Sequence, residues 1–145
     1  MLDFVANEQI HIEMVETPSL EKVRKIHQRH ISSGGPVFYV VKDEQVIGWC
    51  DVIPERNPRL HHRGGLGMGV LPGYRGKGIG TLLLKETIRQ AEEFGLEKVE
   101  LHVYTTNENA IALYRNLGFE EEGIIRKFRK LNDDYFDCLM MAKLL

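Results

Sequence analysis

Three glycines and two cations lie together in the middle of the chain, where a short apolar strand is predicted to lead into a helix. The segment reads Arg-Gly-Lys-Gly-Ile-Gly from Arg75 to Gly80. Glycine has no Cβ, so its backbone can approach an anion closely, and a helix N-terminus directs free N–H groups at that anion. Arg75 and Lys77 add positive charge where the helix dipole already favours an anion. These residue types in this order predict a phosphate-binding loop.

The loop does not match two common nucleotide-binding motifs. A P-loop places Ser or Thr directly after its Gly-Lys pair, but Gly78 follows Lys77 here. The dinucleotide-binding fingerprint needs a third glycine where Thr81 or Leu83 stands, depending on the glycine from which the count begins. The pattern that remains is Arg-x-x-Gly-x-Gly over Arg75–Gly80.

A second group of residues follows the next predicted strand. It reads Asn-x-x-Ala-Ile-x-Leu-Tyr-x-x-x-Gly-Phe from Asn107 to Phe119. Asn107 is a favourable N-cap for a short helix, and Gly118 is a favourable helix end. Tyr114 would lie on this helix among apolar residues. The segment therefore predicts a short amphipathic helix that carries one phenol.

The hydrophobic pattern predicts seven strands and three helices around these residues, in the order βαβββαβαββ. The strands cover residues 9–15, 37–42, 46–53, 66–70, 98–104, 119–128 and 135–144, and the helices cover 19–30, 79–94 and 107–116. Short polar connections predict an antiparallel hairpin near each end of the sheet. The strand–helix–strand unit over 66–104 predicts a right-handed crossover between parallel strands. The expected fold class is α/β (α+β), with a mixed central sheet that is antiparallel at both ends and has a parallel pair at the middle.

Composition and charge exclude several classes of protein. The 145 residues are expected to form a single domain, 1–145. A formal net charge of −2 argues against nucleic-acid binding, and no apolar run approaches the roughly 20 residues of a membrane helix. The N-terminus lacks the pattern of a signal peptide, so we expect a cytoplasmic protein that does not associate with a membrane. Cys50 and Cys138 are predicted to be buried thiols in that reducing compartment.

The adjacent histidines His61 and His62 raise the question of a metal site. As neighbouring residues of a strand they would point to opposite faces. No Cys, Asp or Glu lies at ligand spacing from them. We therefore expect no metal.

The loop and the second segment together resemble the GNAT superfamily of acetyl-CoA-dependent N-acetyltransferases. The resemblance covers roughly residues 37–141 and includes Gly48-Trp49 before the motif strand. It implies a sheet with helices on both faces, in which the middle parallel pair is splayed so that acetyl-CoA enters between its strands. It also implies that the loop binds the pyrophosphate of coenzyme A.

The resemblance implies contacts with acetyl-CoA for a strand, the loop and the start of each following helix. Backbone groups at Met68 and Val70 would meet the pantetheine arm, which can imitate a missing strand. Asn107 would contact the same arm. The complete set of implied cofactor-binding residues is Met68, Gly69, Val70, Arg75, Gly76, Lys77, Gly78, Ile79, Gly80, Thr81 and Asn107.

The resemblance also places two residues at the reaction. Tyr114 would lie beside the thioester sulfur, where a phenol can protonate the departing thiolate. His102 stands where some members of the superfamily have a glutamate base, and its unperturbed pKa near neutrality suits that task. Glu100 on the same strand face is the competing base. His61, His62 and a water chain are further alternatives.

The resemblance implies direct transfer of an acetyl group from acetyl-CoA, the co-substrate, to a primary amine in a ternary complex. Neither cysteine belongs to a motif for a covalent carrier. The acceptor is either a small amine such as an amino acid, or a peptide or protein amine. The alternative function is a catalytically silent CoA-binding sensor or interaction module of the same fold. The expected partner is the amine acceptor. Homodimers are common in such families, and the sequence leaves open whether this chain forms one.

Overall fold

The computed structural model of the protein describes residues 28, 30–32 and 34–145. The strand predicted over 9–15 and most of the helix predicted over 19–30 lie outside the described residues. Gln28 and His30–Ser32 are helical, in agreement with the end of that predicted helix.

Among the described residues, six strands form one sheet in the order β1-β2-β3-β4-β6-β5. They are β1 (Val37–Lys42), β2 (Gln45–Pro54), β3 (Arg63–Val70), β4 (Lys98–Tyr104), β5 (Glu120–Leu131) and β6 (Asp134–Leu144). The helices that follow β3 and β4 are α1 (Ile79–Glu93) and α2 (Glu108–Asn116), and a short 3-10 helix (Pro58–Leu60) precedes β3. Only β3 and β4 are parallel among these described strands. The predicted mixed sheet with a central parallel pair is confirmed.

Three details differ from the prediction, and two of them arise because the hairpin turns are shorter than the polar runs suggested. The β1–β2 connection is only Asp43-Glu44, and both residues have the positive φ of a two-residue hairpin turn. The β5–β6 connection likewise shortens to Asn132-Asp133, so β5 extends beyond residue 128. His61 and His62 lie in a turn after the 3-10 helix rather than in a strand.

The main core lies between the sheet and the two helices α1 and α2. Leu84 and Ala91 of α1 are fully buried in the same cluster as Val99 of β4 and Tyr114 of α2. This apolar spacing on α1 is that of a helix with one buried face.

The parallel pair is splayed. β3 and β4 pair only at Arg63–Lys98, Gly64–Val99 and Gly65–Glu100. Beyond these positions β3 continues along β2 as far as Val70, and β4 continues along β6 as far as Tyr104. In the described chain, the facing edges of β3 and β4 therefore have no strand between them after Gly65. The gap opens toward the loop that follows Val70.

Ion pairs connect the strands at the closed end of this gap. Arg63 on β3 lies 3.4 Å from the Glu100 carboxylate on β4. Lys98 lies 3.6 Å from the same carboxylate and 2.9 Å from Glu122 on β5. The Arg63–Glu100 contact links the two sides of the gap at the point where their backbone pairing stops, and Lys98 connects the same carboxylate with β5.

Candidate active site

The gap exposes strand edges that a ligand can use. Met68, Gly69 and Val70 lie on the part of β3 that pairs with β2 on one side only. A strand edge presents backbone N–H and C=O groups in a row, and an extended ligand with amide groups can pair with such a row. The three residues that the sequence assigned to the cofactor thus border the gap.

The loop between β3 and α1 bends through left-handed glycines. Gly73, Gly76 and Gly78 have φ values of 82°, 71° and 79°, a conformation that residues with a Cβ adopt at a cost. Gly78 is the N-cap of α1 and provides no side chain to cap the helix. The first-turn N–H groups, those of Ile79, Gly80 and Thr81, are therefore left by the helix for an outside acceptor. This is the arrangement of an anion-binding helix start.

Gly80 brings the start of α1 close to two neighbouring elements. A Cβ at this position would lie 3.3 Å from both Leu113 of α2 and Met68 of β3. The absence of that Cβ lets the start of α1 lie against both the gap and α2.

The cations of the loop fold onto its backbone. Arg75 Nε donates a 2.7 Å hydrogen bond to the Val70 carbonyl, and Lys77 Nζ donates a 2.6 Å bond to the Gly73 carbonyl. Both side chains are exposed. They surround the start of α1 with positive charge and at the same time brace the turn.

Tyr74 and Lys42 join the loop, and the sequence reasoning missed both. The Tyr74 ring packs beside Ile47 and Leu71. Lys77 Nζ and Lys42 Nζ each lie 5.5 Å from the centroid of this ring. Lys42 belongs to β1, so no local sequence signal connects it with the loop.

Asn107 caps α2. Its side-chain oxygen accepts a 3.2 Å bond from the Ala110 N–H, and its own N–H donates to the Tyr104 carbonyl. Within the described chain, the side-chain NH₂ group of Asn107 makes no hydrogen bond. The cap fixes the side chain at the end of β4 and leaves this donor available to a ligand.

Tyr114 is buried beside the gap, on the α1 side of the sheet. It is 7% exposed, and its ring packs against Phe119 at 5.7 Å. Burial raises its pKa above the usual value, and the nearby Cys50 adds to this effect. No hydrogen bond to the hydroxyl occurs among the residues described. The group therefore remains a neutral phenol at physiological pH, with its proton available to a base.

The candidate bases lie on the other face of β4. His102 is exposed and its ring lies edge-on to Phe128 at 5.4 Å. Glu100 is occupied by its ion pairs with Arg63 and Lys98. Tyr114 and His102 therefore approach the gap from opposite faces of the sheet.

His61 and His62 do not lie near the open part of the gap, where Tyr114 and His102 are. His61 bonds to the Arg56 carbonyl at 3.0 Å, and the His62 carbonyl accepts the Glu97 N–H at 2.7 Å. Both histidines stand before the first residue of β3, at the closed end of the gap and at the opposite end of β3 from the loop.

Asp51 is a buried carboxylate that the sequence reasoning did not single out. It lies on β2 opposite Gly67, is 6% exposed, and has Oδ1 2.9 Å from the position a Cβ of residue 67 would occupy. Burial raises its pKa to about 6, with the charge of His30 acting in the opposite direction. An acidic residue among the apolar residues of β2 was the available signal.

Other classes of site leave no trace in the described residues. No group of three or more His, Cys, Asp or Glu side chains over residues 28, 30–32 and 34–145 could hold a metal ion. Over the same residues, no helix is long and apolar enough to span a membrane. Cys50 and Cys138 are buried free thiols, as predicted.

Comparison with known proteins identifies relatives of the whole arrangement. The model of the "Acetyltransferase (GNAT) family" matches residues 5–119. The L-amino acid N-acetyltransferase AaaT of Escherichia coli (strain K12) is 29% identical over 102 residues, 70% of this chain and 63% of that protein. The chain thus spans less than two thirds of the length of this relative.

Solved structures share the fold over nearly the full chain. The ribosomal-protein-alanine N-acetyltransferase from Brucella melitensis is 29% identical with a TM-score of 0.89, covering 98% of this chain and 89% of that one. The protein yncA from Salmonella typhimurium, solved with its cofactor acetyl-CoA, is 19% identical with a TM-score of 0.90, covering 99% and 84%. At the latter identity the likeness is one of fold alone.

Proposed function

The chain belongs to the acetyltransferase (GNAT) family, and from this we propose that it transfers an acetyl group from acetyl-CoA to a primary amine, by direct attack in a ternary complex. The observation that carries the proposal is the gap between β3 and β4, which leads into a glycine-rich helix start and has a buried, protonated phenol beside it.

Each part of acetyl-CoA has a matching group in the described chain. The pantetheine amides pair with the free edge of β3 at Met68, Gly69 and Val70, and Asn107 donates to the same arm. The pyrophosphate accepts from the N–H groups of Gly76 through Thr81, within the positive charge of Arg75 and Lys77. The acetyl-CoA-bound yncA structure, which has this fold, supports the assignment.

The chemistry requires one proton to leave the amine and one to reach the sulfur. The amine nitrogen attacks the thioester carbonyl carbon, a C–N bond forms, and the C–S bond breaks. Tyr114 donates its proton to the departing thiolate and later regains one from solvent. His102 accepts the amine proton from the other face of the sheet, directly or through water. Glu100 is the competing base, but two cations already engage its carboxylate.

The acceptor is an amino acid or a protein N-terminal amine. AaaT is named for L-amino acids, and the Brucella relative is named for an alanine of a ribosomal protein. Both present a primary amine next to a carbonyl group. This shared chemistry supports an α-amine as the acceptor group.

The test is an acceptor screen that detects the free thiol of coenzyme A. The purified chain is incubated with acetyl-CoA and either L-amino acids or short peptides with a free N-terminal alanine. Thiol release above the amine-free rate with at least one α-amine is the expected result. Binding of acetyl-CoA without release for any amine would instead establish the silent CoA-binding module.

A further inference from the structure

We propose that Lys42 is a binding residue for the 3′-phosphate of coenzyme A, held in place by Tyr74. The inference rests on the proposed function and deepens it, because it assigns a second phosphate subsite beside the loop. It distinguishes coenzyme A from its 3′-dephospho form.

The position of Lys42 relative to the loop is fixed by the fold. Lys42 ends β1, directly before the tight turn into β2. The loop is tied to β2 at the same end of the sheet by a 2.9 Å bond from the Leu71 N–H to the Ile47 carbonyl. The Tyr74 ring rests on these two buried residues. Lys42 therefore belongs to the rim of the loop although it lies far from it in sequence.

The ammonium group of Lys42 is not paired with any carboxylate of the described residues. Within the described chain it forms no ion pair, although Asp43 and Glu44 follow it directly. Its interaction with the Tyr74 ring, at 5.5 Å, is a cation–π contact at an exposed site. Such a contact orients the ammonium without neutralising it. A second cation, Lys77, lies at the same distance from the same ring.

Coenzyme A has a further anionic group that a cation beside the loop could bind. The pyrophosphate has the amides at the start of α1 and the glycine loop. The remaining anion of coenzyme A is a phosphate monoester, whose charge approaches −2 at neutral pH because its second pKa is about 6. A compact, exposed ammonium is a suitable partner for a mobile phosphate that faces solvent. Lys42 on the rim of the loop supplies it.

The experiment compares coenzyme A with 3′-dephospho-coenzyme A by isothermal titration calorimetry at low ionic strength. The wild-type chain is expected to bind coenzyme A roughly two- to fivefold more tightly, as for one exposed ion pair. Lys42→Met should weaken coenzyme A binding by about this factor and leave dephospho-coenzyme A binding unchanged. Lys42→Arg should restore most of the preference because it restores the charge.

Arg59→Met is the matched control, because it removes one exposed cation from the 3-10 helix before β3, at the other end of the sheet. It should change neither affinity. Two results would overturn the 3′-phosphate assignment and leave the proposed function standing. One is that Lys42→Met loses affinity equally for coenzyme A and for dephospho-coenzyme A. The other is that the wild-type chain binds the two ligands with equal affinity. Failure of the wild-type chain to bind either ligand would overturn both.

Discussion

At the scale of single residues, the chemistry depends on where protons are held. Tyr114 keeps its proton because it is buried, while Asp51 is driven toward its neutral form for the same reason. Burial disfavours the charged form of any acid. We expect substitution of Tyr114 to change the turnover rate, and substitution of Asp51 to change how the stability of the fold depends on pH.

Replacing Tyr114 with Phe should lower kcat by roughly 10²- to 10³-fold and leave the Kd for acetyl-CoA within about twofold, because only the proton donor is removed. The free energy of unfolding should not fall, since the hydroxyl has no hydrogen-bond partner among the described residues. Steady-state kinetics, ligand titration and urea unfolding measure the three quantities. Tyr135→Phe, which alters an exposed tyrosine of the last hairpin, is the control. Unchanged turnover in Tyr114→Phe would exclude it as the acid.

Replacing Asp51 with Asn should change how stability depends on pH. The folded pKa of about 6 lies above the ordinary value of 3.8 for an aspartate side chain, so Asp51 contributes stability at low pH that is lost as the pH rises through 6. The wild-type chain should therefore lose about 2 kcal/mol more than Asp51→Asn between pH 4.5 and 7.5. Urea unfolding at both pH values gives the difference. If the free energies of unfolding of the two proteins differed by the same amount at pH 4.5 and at pH 7.5, the raised pKa would be contradicted.

At the scale of elements, the sequence predicted those features that are determined by residues close to one another along the chain. The glycine spacing predicted the loop and the start of α1, and the apolar spacing predicted the face that α1 buries. The histidines were misplaced because Asn57 and Pro58 begin a 3-10 helix instead of a strand. Lys42 beside Tyr74 and Asp51 beside Gly67 escaped prediction because each contact joins residues of different elements. Such contacts depend on strand order and register, which one sequence does not display.

The loop should be more sensitive to its backbone shape than to its composition. Gly78→Val places a β-branched residue at a φ of 79°, so the turn must change and its N–H groups lose their common direction. We expect acetyl-CoA affinity to fall at least about tenfold, because the proposed pyrophosphate site consists of the amides at the helix start. Gly95→Val is the matched control, since Gly95 has a φ of 96° beyond the other end of α1. Gly95→Val should lower the stability of the protein, as measured by urea unfolding, but leave its affinity for acetyl-CoA unchanged in a ligand titration. Similar acetyl-CoA affinities for the two variants would refute the pyrophosphate assignment.

At the scale of the whole molecule, the described part of the sheet consists of two three-stranded halves, β1-β2-β3 and β4-β6-β5. They share three residue pairs and the Arg63–Glu100 ion pair at one end. The sequence predicted the mixed sheet and, by resemblance, its splay. It did not predict the Arg63–Glu100 ion pair, because this contact arises between strands that are distant in sequence.

The short contact between the halves would couple the stability of the fold to the bound co-substrate. In the proposed binding mode the ligand bridges the gap and replaces the strand pairing that is missing there, and any ligand that binds only the folded state adds to its stability with rising concentration. Free coenzyme A has the same pantetheine arm and phosphates as acetyl-CoA, so both would contribute. The cohesion of the sheet would then follow the total coenzyme A pool of the cell rather than the acetyl-CoA level alone.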